Sequence, residues 1–233
     1  MRASVLLILL LAGPAGANEC VVLLHGLARS ASSMETMAAA LAATAFHPVN
    51  IDYPSQDFPI EDLADEAIPR GLQGCGPRQT IHFVTHSMGG ILVRQYLSMH
   101  TIPQLGRVVM LGPPNQGSEV VDELGDWALF EWLNGAAGQQ LGTGVDSVPL
   151  QLGPATFDVG IIAGTHSINL LLSQLIPGQD DGKVAVRNAK LMGMSDFITV
   201  PVSHPFLMMD DQVIAQTIHF LQHGRFARPD REP

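Results

Sequence analysis

The tripeptide Thr-His-Ser occurs twice in this chain, at residues 85–87 and 165–167. A serine hydroxyl attacks a carbonyl only when a neighbouring base relieves it of its proton. The first copy has surroundings suited to that chemistry. It reads "FVTHSMGG", Phe83 to Gly90, and joins an apolar run to the amphipathic stretch "ILVRQYLSMH". A serine on a sharp strand-to-helix turn projects its hydroxyl past the sheet edge, and it needs small neighbours because the backbone folds tightly over itself. Gly89 and Gly90 give that room, and the helix start adds free N–H groups and a positive dipole end. The second copy, "GTHSIN", puts Ile168 and Asn169 where glycine is needed, so Ser167 reads as a helix-start or loop hydroxyl. Ser87 is the candidate nucleophile.

The elements that must hold such a serine are legible in the hydrophobic pattern. Val21–His25, Pro48–Tyr53, Ile81–Thr85, Arg107–Leu111, Val159–Ala163 and Phe197–Val202 are short, rich in β-branched residues and apolar on both faces. Strands covered by helices on both sides have that composition. Ser32–Ala45, Glu61–Leu72, Met88–Met99 and Met208–His223 read as helices, with Ser32 or Ser33 capping the first and Gly224 ending the last. This alternation predicts an α/β fold with a mostly parallel sheet of about six strands and helices on both faces. Residues 117–155 break the rhythm with a helix-like and then glycine-rich excursion. It carries both tryptophans, Trp127 and Trp132, with Phe130 between them. No repeat or linker divides the remainder.

The segments "VVLLHGLARS", "FVTHSMGG", "PPNQGS", "DDGKV" and "PVSH" follow one another in an order that resembles the α/β-hydrolase fold, and within it the bacterial lipases and esterases. The resemblance runs from Cys20 to about Leu221. It departs from the usual G-x-S-x-G at Thr85, which stands where the pattern has its first glycine. The resemblance implies a Ser-Asp-His triad in that chain order. Of the histidines that follow the plausible acids, His204 ends the run "FITVPV" and opens a loop, whereas His219 and His223 sit i, i+4 near a solvated helix end and lack a third metal ligand. His204 is the expected base. The resembled family places its acid just before the glycine of a D-G-x-V turn, which is Asp181; Asp180 is then a turn-capping carboxylate, and Asp158 and Asp196 are weaker alternatives. The expected oxyanion hole comprises the N–H groups of Leu27, after the close-approaching Gly26, and of Met88. His25 is read as ordering that loop, and Arg29 as a surface charge in preference to a contact at the site rim. The excursion at 117–155 is expected to form a helical cap, with Trp127, Phe130 and Trp132 either lining an apolar acyl pocket or packing the cap onto the core.

Composition bounds the rest. The N-terminal "MRASVLLILLLAGPAGANEC" has a basic residue, a short apolar run and Ala15-Gly16-Ala17, which predicts an export signal cleaved after Ala17. Residues 18–233 then form one domain, periplasmic or secreted, with a net charge of −11. Nothing before Cys20 resembles a lipidation site. A surface of that sign repels phosphate backbones, and no basic cluster is present, so nucleic acid is excluded as a partner. No cofactor or metal is implied, and a monomer is expected. The two cysteines, Cys20 and Cys75, each precede a predicted strand. If those strands are neighbours, the thiols lie near one sheet edge, either bridged or as two free buried groups. The predicted activity is hydrolysis of small-molecule or lipid carboxylic esters through an acyl-enzyme, with transient contact to lipid interfaces. Two other readings are an acyltransferase or lipid deacylase on the same fold, and a catalytically silent binding protein.

Overall fold

The structure, a computed structural model, describes residues 19–124 and 135–228. The expected signal at residues 1–17 and the cap aromatics Trp127, Phe130 and Trp132 lie outside the described residues.

Six strands form one parallel sheet: β1 (Glu19–Leu24), β2 (Phe46–Ile51), β3 (Thr80–His86), β4 (Leu105–Leu111), β5 (Val159–Gly164) and β6 (Asp196–Val200), in the order β2-β1-β3-β4-β5-β6. Each coincides with a predicted strand, its ends lying within two residues of the predicted ones. Pro48, which cannot donate to a ladder, falls in the edge strand β2. Side chains alternate across the pleat. Val22, Leu24, Phe83, Met110 and Ile161 enter one apolar layer, while Val21, Leu23, Val84, Val109 and Ile162 enter the other. Helices Ile60–Gly74 and Met88–Met99 cover the first layer, and Glu35–Ala42 and Asp211–His223 cover the second. Both faces being buried, neither needs polar residues, and the strands therefore read as continuous apolar runs.

Two helices begin later than their periodicity predicts. Ala31–Met34 is a 3₁₀ turn, and the α-helix starts only at Glu35. Ser33 does not cap it; its hydroxyl donates back to the Ser30 carbonyl, a local competition to which serine is prone. Likewise His204–Met209 is a 3₁₀ turn. The last α-helix then starts beyond Asp210, whose carboxylate accepts from the N–H groups of Gln212 and Val213. That helix ends as expected at Gly224, in the left-handed region at φ 70°.

The cysteines are bridged, Cys20 to Cys75. Cys20 lies near the start of β1 and Cys75 directly follows helix Ile60–Gly74, so the bond ties a helix end to the N-terminal edge of the sheet. A second tie holds the 117–155 excursion. Arg94, buried on helix Met88–Met99, donates to the carbonyls of Asn115, Pro149 and Gly153 and to the Asn115 side chain. Burial lowers its pKa to about 10. Among the described residues, no helix is long and apolar enough to cross a membrane.

Candidate active site

The strand order reverses direction between β1 and β3: the chain leaves β1 toward one edge of the sheet and β3 toward the other. Outside the C-terminal ends of two such strands a crevice opens, the usual ligand position in open α/β sheets. The loop after β1 carries Leu27, and the turn after β3 carries Ser87.

Ser87 sits between β3 and helix Met88–Met99 at φ 53° and ψ −123°. A non-glycine residue held there costs on the order of 1–3 kcal/mol and persists only when its surroundings over-determine it. They do here. The Ser87 N–H donates to the Leu111 carbonyl at 2.8 Å, and the Gly90 N–H donates to the Ser87 carbonyl at 3.0 Å. A Cβ at Gly89 would stand 2.7 Å from the Leu24 carbonyl oxygen and 2.8 Å from that of His25, so only glycine fits. One at Gly26 would stand 2.8 Å from His86 Nδ1. Thr85, the departure from the usual pattern, is fully buried within β3 and leaves the turn intact. The second Thr-His-Ser makes no such turn. Ser167 Oγ accepts from the Asn169 N–H in a loop, and Asn169 caps the short helix Leu170–Ser173.

The acid and base candidates meet as the chain order implies. His204 Nδ1 donates to Asp181 Oδ2 at 2.7 Å, and both side chains are buried. The other carboxylate oxygen accepts from the Lys183 and Val184 N–H groups at 3.0 and 2.9 Å, and the Asp181 carbonyl accepts from the His204 N–H at 2.9 Å. With Nδ1 thus occupied, Nε2 is left as the ring's acceptor. Gly112, at φ 56°, passes directly beneath, where a Cβ would lie 3.0 Å from Asp181 Oδ2 and 3.1 Å from His204 Nδ1. Asp180 caps the turn instead, accepting from the Gly182 N–H and the Ser173 hydroxyl, each at 2.7 Å. Asp158 pairs with Arg107 and Asp196 with Arg228, both away from this pair. The His219 ring lies tilted against that of His223, and its Nδ1 donates to the Arg225 carbonyl.

Two further histidines organise the site, and one of them, His86, also lines the cavity described below. His25 is buried, donates from Nδ1 to the Gly26 carbonyl, accepts from the Tyr53 N–H at Nε2, and stacks on the Tyr53 ring. The Tyr53 hydroxyl donates to its carbonyl. Together with Ala28 N–H to Ser55 Oγ and Ala31 N–H to Asp52 Oδ1, this staples the Leu27 loop to the chain beyond β2. His86, missed in the sequence, donates from Nε2 to the His204 carbonyl at 3.0 Å and lies against its ring. Its adjacency to Ser87 was the only sequence signal available.

Burial pushes the pKa values of His25, His82 and His86 below the ordinary 6.5, and for His86 the charge of His204 adds to the effect. These rings are neutral in the fold but free to protonate in the unfolded chain. Acidification below about pH 6.5 therefore favours unfolding, by as much as about 1.4 kcal/mol per pH unit for each ring. Calorimetric melting at pH 7.5, 6.0 and 5.0 should show Tm falling at each step; a flat profile would contradict neutral burial.

Ser87, Asp181 and His204 line one cavity of about 580 Å³. Its apolar lining includes Val120, Val121, Leu124 and Leu141 from the excursion together with Leu172. Arg29, read from the sequence as a surface charge, lines this cavity too, as does Lys183.

Residues 21–217 match the model of the alpha/beta hydrolase family. The chain belongs to this family. Among solved structures, this hydrolase is similar to a Bacillus licheniformis lipase in its mature form, with a TM-score of 0.73 and 22 % identity over 90 % of this chain and 94 % of the lipase. It is also similar to a metagenomic carboxyl esterase (TM-score 0.65, 17 % identity, 82 % of this chain and 66 % of the other). A Legionella pneumophila phospholipase superposes with a TM-score of 0.57 and 19 % identity, over 74 % of this hydrolase and 45 % of the phospholipase. Identities this low speak for the fold alone. No sequence match among curated proteins was found.

Proposed function

We propose that this chain is an exported serine hydrolase that cleaves carboxylic esters through Ser87, Asp181 and His204. The observation that carries the reading is the His204–Asp181 bond of 2.7 Å in the same cavity as a serine held at φ 53°. Ser87 Oγ attacks the ester carbonyl as His204 Nε2 accepts its proton. Asp181 fixes the tautomer through Nδ1 and stabilises the imidazolium as it forms. The N–H groups of Leu27 and Met88 receive the developing oxyanion, each worth roughly 3–4 kcal/mol in the transition state. His204 then protonates the departing alcohol, leaving an acyl-serine that a water, activated by the same imidazole, hydrolyses. The apolar wall of the cavity favours acyl chains over sugars.

Export is supported by the N-terminal sequence pattern and by a disulfide, which oxidising compartments sustain. Contact with a lipid interface is supported by Ile168, which lines the cavity, and the nearby Leu170 and Leu171: they are 61 %, 73 % and 77 % exposed, a grouping of apolar side chains that water disfavours.

The test is intact-protein mass after exposure to a small fluorophosphonate. One adduct on the wild type, mapped to Ser87 and absent from Ser87→Ala, is expected. A folded protein that takes no adduct, with or without detergent, leaves the silent binding protein as the better reading.

A further inference from the structure

Two cations face the cavity of a strongly acidic protein. Five other basic side chains are matched: Arg70 by Glu66, Arg107 by Asp158, Arg187 by Glu119, Arg228 by Asp196, and Lys190 by the Phe197 ring. Arg29 and Lys183 have no carboxylate within ion-pair distance among the described residues, yet both line the cavity that holds Ser87 and His204. The nearest acid to Lys183 in sequence, Asp181, is already committed to His204 and to two backbone N–H groups.

The two charges also work against each other. Lys183 has its pKa lowered, first by desolvation and then by Arg29, while Asp181 raises it in part. Both cations lower the pKa of His86, behind burial and His204 in effect. Juxtaposed like charges are unfavourable until an anion sits between them. The position of Lys183 is not accidental to a floppy loop, since its N–H is held by Asp181 and its carbonyl by the Ser118 hydroxyl. Arg29 follows directly on the stapled Leu27 loop. An arginine and a lysine that line one cavity from separate loops can receive a phosphate or carboxylate between them, the guanidinium supplying a planar fork and the ammonium a point charge.

We infer that Arg29 and Lys183 form an anion subsite in the cavity of the reactive serine, so that the preferred esters carry a phosphate or carboxylate close to the scissile bond and an apolar chain for the apolar part of the lining. This rests on the hydrolase reading given above and narrows its substrate class.

Two matched pairs of esters test this and separate a lipid phosphate from a soluble carboxylate. In detergent micelles, 1-oleoylglycerol is compared with 1-oleoyl lysophosphatidic acid, which differs only by the phosphate. In solution, p-nitrophenyl butyrate is compared with mono-p-nitrophenyl glutarate. The anionic member of at least one pair should have a kcat/KM about tenfold higher, as a single well-placed ion pair gives. That ratio should fall toward one in Arg29→Gln and in Lys183→Gln, and in wild type between 50 mM and 500 mM salt, as screening requires. A preference confined to the micellar pair assigns the subsite to lipid phosphates, and one confined to the soluble pair assigns it to carboxylates. Equal rates within both pairs, or ratios that survive both substitutions, overturn the inference.

Calorimetry on Ser87→Ala provides a reading without turnover. Octyl phosphate should bind about tenfold more tightly than 1-octanol, and adding either glutamine substitution should abolish the difference. If no ester is cleaved but this difference holds, the hydrolase reading fails and the anion subsite stands; if esters are cleaved but no difference exists, the reverse is true.

Discussion

Ser87→Ala is expected to lower kcat for p-nitrophenyl butyrate by about a million-fold, and His204→Ala by nearly as much, with the double variant no worse than either. Groups that act as one unit lose their value together, so non-additivity is the signature to look for. Asp181→Asn should be less severe, at about ten-thousand-fold. The structure gives the reason. Asp181 Oδ1 accepts from the Lys183 and Val184 N–H groups, so an amide at this position keeps its oxygen there and turns its NH₂ toward His204 Nδ1. The imidazole must then take its proton on Nε2 and can no longer act as the base. Asp180→Asn is the contrast, because that side chain bonds only the Gly182 N–H and the Ser173 hydroxyl within the turn. It should cost about tenfold or less. Should Asp180→Asn prove the more damaging, the acid has been misassigned. Activity within tenfold of wild type in Ser87→Ala would sink the serine mechanism altogether.

The parts of this site that were legible in the sequence are those set by backbone geometry. Ser87 is recognisable because its turn excludes side chains: Gly89 approaches the Leu24 and His25 carbonyls too closely for any Cβ. The strands are legible because burial on both faces removes polar residues from them. The candidate acid and base required the resemblance, since nothing in the spacing of 23 residues between Asp181 and His204 predicts a hydrogen bond. What escaped depends on long-range placement of side chains that look ordinary in sequence. Arg29 resembles any loop arginine until the Leu27 loop is stapled over the cavity. Arg94 resembles an exposed position of an amphipathic helix until the excursion folds its carbonyls around it. Helix starts were misjudged for a local reason, because Ser33 and Asp210 satisfy backbone groups in ways that apolar periodicity does not register.

Breaking the Cys20–Cys75 bond should destabilise the fold by about 4 kcal/mol without disabling the site. The bond spans 55 residues, and closing a loop of that length removes roughly 4 kcal/mol of entropy from the unfolded chain in the chain-entropy model. For a domain of this size, that corresponds to a Tm lower by about 10 °C. Cys20→Ala with Cys75→Ala is the variant of choice, because Cys20 is fully buried and serine there would bury a hydroxyl with no assured partner. The location makes the effect separable from catalysis. Cys20 pairs in register with Ile81 near the start of β3, whereas Ser87 follows the end of that strand, so the sheet's length lies between bond and site. Melting curves and kcat at 25 °C should therefore diverge, with Tm falling and turnover holding. Loss of both together would mean that the N-terminal edge of the sheet transmits its disorder to the Leu27 loop along β1. A Tm unchanged by the double substitution or by reductant would mean that the thiols are not bridged in the folded protein, which would also remove the disulfide as support for export.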